Sequence, residues 1–200
     1  CSLKLIGTST RPQPETPKRE IPGWAALIGA VLARRDDRAS GAYLSAVKAG
    51  ISPATEMQAR QFTQSHLGEL SPRAASGARR AAAICAASTG APAVSRKPLG
   101  ESLLDLHLRE NTNTPPSVEK PNSIITTVGA LPLLDLESAV QAISQLVGRC
   151  AKHGIGVDYF DLARTLTFWG EGVTPQSQET RARIVSAFYT PKNLNRKASA

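Results

Sequence analysis

The chain has 200 residues, 41% of them hydrophobic, enough for one domain with a sizeable core or two small helical ones. Its 24 Lys and Arg, sixteen of them Arg, against 16 Asp and Glu leave a net charge of +8, which biases it toward a polyanionic partner. Three widely spaced cysteines without a Cys-x-x-Cys pair argue against a disulfide framework and for reduced thiols in a cytosol, and no apolar run is long enough to span a bilayer.

Residues 1–20 hold Pro12, Pro14 and Pro17 among Thr, Lys and Arg, and read as a flexible N-terminal arm. Cys1 matches the first residue of mature bacterial lipoproteins, a reading weakened by the basic, helical sequence that follows. Trp24–Arg35 is the first predicted helix, with Trp24, Leu27, Ile28, Val31 and Leu32 on one face. Ala39–Ala49 is the second, with Tyr43, Leu44 and Val47 inward. Ser52-Pro53 and Ser71-Pro72 each read as an N-cap followed by Pro at the first helical position, starting helices over Pro53–Leu70 and Pro72–Ala87.

Thr89–Pro98 is rich in Gly, Pro and Ser and marks a boundary between two helical halves, residues 21–95 and 96–190. Leu99–Arg109 is a short helix, and the proline-bearing stretch Asn111–Asn122 is a surface loop. Ile124–Leu131 carries the strand propensity of an Ile-Ile-Thr-Thr-Val run. Asp135 caps a helix with Leu136, Val140, Ile143 and Val147 in one stripe, stopped by Gly154. Thr174-Pro175 starts the last helix, which buries Ile184, Val185 and Phe188, and residues 191–200 form a basic tail.

Between these lies Val157–Gly170, read V-D-Y-F-D-L-A-R-T-L-T-F-W-G. Asp158 is its N-cap, Asp161 sits in the first turn, and Gly170 ends it. Tyr159, Phe160, Leu166, Phe168 and Trp169 spread over so much of its surface that the helix is expected to be central and mostly buried.

No constellation reads as catalytic, cofactor-binding or metal-binding. His66, His107 and His153 are far apart, and none has a second ligand at the i+3 or i+4 spacing of zinc helices. Asp158 and Asp161 lie a turn apart as paired carboxylates would, but capping explains both. Gly154-x-Gly156 lacks the third glycine and preceding strand of a dinucleotide fingerprint.

The informative polar residues are cations. Arg73 and Arg80 lie seven apart on the Pro72 helix with Arg79 beside Arg80, a spacing suited to a phosphate-tracking ridge. Lys48 closes the second helix, and Arg149 and Lys152 form an i,i+3 pair near a helix C-terminus, where cations are favoured in any case. These six residues are the candidate nucleic-acid contacts. Aromatics are scarce and most read as buried, so base-stacking platforms are not expected.

The Asp-aromatic, Leu-Ala-Arg, Leu and aromatic-Trp-Gly order of Val157–Gly170 resembles the CasB family, the small subunits of the type I-E CRISPR surveillance complex called Cascade. Asp36–Gly50, Pro72-Arg73 through Ala87, and Leu99-Gly100 to Leu104 are similar to that family's earlier helices in the same order. The resemblance implies an all-α, two-part bundle of about eight or nine helices, with a helix at Ile124–Leu131. It implies a non-catalytic role and a cytoplasmic location. The partners it implies are crRNA, target DNA, the large and backbone subunits and a second copy of the chain, with no membrane. Glu101, Ser144 and Gly148 stand where the family usually has Arg, and Asn122 to Ile125 replace an Arg-rich patch. The C-terminal half is therefore expected to grip nucleic acid less strongly. The rival reading is a general helical nucleic-acid-binding or scaffold protein.

Overall fold

A computed structural model describes residues 21–190; the expected arm with Cys1 and the basic tail lie outside the described residues. Nine α-helices are formed among the described residues: α1 Gly23–Arg34, α2 Gly41–Lys48, α3 Glu56–Leu67, α4 Pro72–Ala87, α5 Leu99–Glu110, α6 Ser123–Ala130, α7 Leu136–Lys152, α8 Tyr159–Thr167 and α9 Pro175–Tyr189. Short 3-10 turns fall at Arg38–Ser40, Ala49–Ile51 and Leu131–Leu133. None of these helices is long and apolar enough to cross a membrane.

Side-chain caps set most of the starts. Ser71 accepts from the amide of Ala74, Asp135 from Ser138 at 2.7 Å, and Thr174 from Ser177. Asp158 accepts from the amides of both Phe160 and Asp161 at 3.0 Å. The Ile-Ile-Thr-Thr-Val run is helical despite its strand propensity, because Asn122 caps it through the amides of Ile124 and Ile125 and its apolar face is buried. The Ser52-Pro53 signal does not start a helix. Ser52 bonds the hydroxyl of Thr55 instead of a backbone amide, and α3 begins only at Glu56.

α4 is the central element, packed against α1, α2, α3 and α8, while α5, α6, α7 and α9 form a second group. The bundle is thus two-part, but its parts do not follow the expected division at residue 95. α8 comes from the C-terminal half of the chain and packs on α4 and α1, so one apolar core runs through both groups. Within the second group, α5 and α9 approach backbone to backbone. A Cβ on Gly100 would lie 2.2 Å from the carbonyl oxygen of Ile184, so α5 and α9 meet only because that position is glycine. The Thr89–Pro98 connection is not helical, as expected, yet it is firmly attached. It forms an isolated parallel bridge between Ala93 and Val157, and the Tyr159 hydroxyl donates to the carbonyls of Ser88 and Ala91.

α8 ends at Thr167, short of the expected Gly170. Tyr159, Leu166 and Trp169 are buried as expected, and the indole N–H of Trp169 donates to the Leu134 carbonyl at 3.1 Å. Phe160 and Phe168 are not buried: 40% and 41% of their surfaces remain exposed. α4 and α1 cover the inward side of α8 only, and residues eight apart both fall on the outer face.

Candidate nucleic-acid interface

The six candidate cations occupy three kinds of environment. Arg79 and Arg80 are internal, with 4% and 0% of their surfaces exposed, which corrects the expectation of a surface ridge built on them. α4 is contacted on almost every side, so a residue in its middle faces protein whichever way it points. Arg79 donates to Thr63 at 3.0 Å, to Gln64 at 2.9 Å and to Glu56 at 2.7 Å. Arg80 donates to the Gly50 carbonyl at 2.5 Å, to Glu56 at 3.1 Å and to Glu137 at 3.0 Å. Glu56, itself only 8% exposed, joins the two guanidiniums. Burial by itself would raise its pKa, but the charges of Arg80 and Arg79 outweigh burial and hold the carboxyl below its ordinary value. This cluster ties α3, α4 and the start of α7 together.

Arg73 and Arg149 are surface residues held in ion pairs. Arg73, in the exposed first turn of α4, pairs with Glu171. Arg149 pairs with Glu110 and donates to the Ser123 hydroxyl at 3.3 Å. Hydrogen bonds from Arg149 and its charge lower the Glu110 pKa, with His153 adding to the effect. Exposed pairs of this kind are worth only about 0–1 kcal/mol, so a phosphate can compete for either arginine.

Lys48 and Lys152 are exposed and make no ion pair among the described residues. The six do not form one ridge. Arg149 lies about 18 Å further along α7 than Glu137, which holds Arg80.

Two groups of arginines escaped the sequence reading. Arg181 is 4% exposed and donates to the carbonyls of Trp169, Gly170, Pro132 and Leu134 at 2.8–3.2 Å, with its guanidinium 5.0 Å from the Trp169 ring centre. No sequence pattern marks a cation whose acceptors are backbone carbonyls. Arg164 and Arg183, whose side chains both reach solvent, converge on Asp161 at 3.0 and 3.4 Å. Here the signal was present in the Phe160, Arg164, Phe168 spacing, four residues at a step.

Nothing in the site provides a reactive centre. The His107 Nε2–H donates to the Thr114 carbonyl at 3.0 Å and its Nδ1 accepts from Asn122 at 3.1 Å, so this histidine fastens the 111–122 loop. Burial pushes the thiols of Cys85 and Cys150 up to about 12, which leaves them inert at neutral pH. Among the described residues, no group of three or more His, Cys, Asp or Glu could hold a metal ion.

The family model described as CRISPR-associated protein Cse2 matches residues 11–189. Among curated proteins none matches the chain in sequence. Three crystal structures share its fold at low identity. A Cse2-family CRISPR-associated protein of Thermus thermophilus superimposes with a TM-score of 0.64 at 16% identity, over 84% of this chain and 99% of that one. A structure of CasB from the same species gives 0.62 at 17% identity over 84% and 97%, and CasB of Thermobifida fusca gives 0.58 at 16% over 84% and 98%.

Proposed function

The chain belongs to the CRISPR-associated Cse2 family, and from that premise we propose that it is the non-catalytic small subunit of a type I-E Cascade. The observation that carries this reading is a family match running from residue 11 to residue 189, essentially the whole helical bundle. In this role the chain braces the large and backbone subunits, stands beside a second copy of itself in the cytoplasm, and requires no cofactor.

Its nucleic-acid work is electrostatic. Pairing of crRNA with target DNA forms a heteroduplex about as stable as the duplex it replaces, so a few phosphate contacts tip the exchange toward the R-loop. A chain of net charge +8 supplies such contacts without reading bases. Of the six candidates, Lys48 and Lys152 make no ion pair among the described residues, and Arg73 and Arg149 become available by exchanging a carboxylate for a phosphate. Arg79 and Arg80 have no part in it, because both are spent inside the fold.

Affinity capture tests the assignment. A tagged chain expressed with its neighbouring CRISPR genes should bring down crRNA and the other subunits in fixed ratio. Recovery of the folded chain alone, or with a mixed RNA population, would instead favour a general nucleic-acid-binding protein.

A further inference from the structure

The guanidinium of Arg181 holds two loops at once. Its Nη1 donates to the carbonyls of Pro132 and Leu134 at 3.2 and 3.0 Å, and its Nη2 to that of Gly170 at 2.8 Å. A Cβ on Gly172 would lie 2.6 Å from the same Nη1. Leu133 therefore sits between two carbonyls bound to this atom, and Val173 follows a residue packed against it. Both side chains face solvent, with 86% of Leu133 and 74% of Val173 exposed. Folding gains nothing from displaying two branched apolar groups, and burying a guanidinium carries a desolvation cost. Here the buried cation fixes the two groups beside one another on rigid backbone.

A cleft of about 430 Å³ opens next to them, lined by Arg73, Asp135, Glu137, Glu171 and Arg181 among others. Leu133 stands two residues before Asp135, and Val173 two residues after Glu171. Arg181 is buried under its carbonyls, and Arg80, which holds Glu137, is buried as well. The charges that meet solvent in the cleft are thus three carboxylates, those of Asp135, Glu137 and Glu171, and one guanidinium, that of Arg73. Arg73 is already paired with Glu171. On a chain of net charge +8, this face is fronted by acid.

We propose that this face docks a protein segment that lays an apolar side chain against Leu133 and Val173 and places an Arg or Lys in the cleft, toward Asp135 and Glu171. The inference rests on the subunit role proposed above and adds which face is covered and by what chemistry. A polyanion is repelled by the carboxylates and brings nothing to remove the two apolar groups from water. A segment with an apolar anchor and a neighbouring cation satisfies both halves of the surface. Because Arg181 fixes the backbone beneath Leu133 and Val173, little ordering of this side is needed on docking.

The test measures binding of the full chain to the crRNA-loaded complex assembled without it, with the oligomeric state of the chain alone followed in parallel. Leu133→Ser combined with Val173→Ser should weaken binding about tenfold or more. Its melting temperature should stay close to that of the wild type, since both side chains are exposed. Glu171→Lys gives a result whose sign decides between partners. It should weaken docking of a basic segment about fivefold, whereas contact with nucleic acid at this face would be tightened by the added charge. A folded serine variant that binds as the wild type does, or a Glu171→Lys chain that binds equally or more tightly, would overturn the inference. So would self-association of the wild-type chain that the serine substitutions abolish, since the face would then join two copies. Failure of the wild-type chain to join the complex would overturn the inference together with the subunit role. Wild-type binding that both variants retain overturns the inference alone.

Discussion

A Cβ placed on Gly77 would lie 2.1 Å from the carbonyl oxygen of Leu166, so α4 and α8 touch backbone to backbone at this point. The contact joins the central helix to one contributed by the far half of the chain. It holds the outer face of α8, with Phe160, Arg164 and Phe168, in position.

Gly77→Ala should therefore destabilise the fold by about 1–3 kcal/mol or more, because the obstacle is backbone and cannot rotate aside. Thermal unfolding would show a lowered melting temperature. An unchanged value would mean that α4 and α8 are further apart than described.

Trp169→Ala should cost roughly 3–5 kcal/mol, the range for large aromatic truncations. The residue is fully buried, and its loss also removes the ring against which Arg181 lies. Since domains commonly hold only about 5–15 kcal/mol of stability, much of the protein should be unfolded or insoluble on expression. Full retention of stability would contradict the packing at this corner.

The cluster around Glu56 gives a prediction with a definite pH sign. Its folded pKa lies below the ordinary carboxylate value, held there by Arg80 and Arg79 against the opposing effect of burial. The stabilisation is present above that ordinary value and is lost as pH falls through the folded pKa. Glu56→Gln leaves two buried guanidiniums short of a partner and should cost about 3–5 kcal/mol at neutral pH. Melting temperatures measured from neutral to acidic pH should fall steeply for the wild type and less for the variant. Parallel curves would show that Glu56 does not titrate with folding.

How much of this was visible beforehand depended on how local the cause was. The Ser71, Asp135, Asp158 and Thr174 caps act over three residues, so the sequence alone located those helix starts. The fate of Arg80 is set by Glu56 and Glu137, which approach from two other helices, and no spacing along α4 conveys that. Phe160 and Phe168 were expected inside because aromatic side chains usually are. The packing of α4 and α1 on one side of α8 decided otherwise. The resemblance had supplied the family, while side-chain placement on a crowded helix needed the third dimension.

Surface and buried cations should separate in experiment. Lys48→Ala with Lys152→Ala should leave the melting temperature almost unchanged. If both touch phosphate in the assembled complex, the pair should shallow the salt slope by about 1.4–1.8. Arg80→Ala should lower stability by about 3–5 kcal/mol. A stable Arg80→Ala protein with a shallower slope would restore Arg80 as a phosphate ligand.

The most direct test of the account is target-DNA binding by the crRNA-guided complex assembled with and without this chain, measured across a salt series. The account predicts tighter binding and a steeper salt dependence with the chain present, with no change in which sequences are recognised. Equal affinity and equal slope in the two preparations would contradict it.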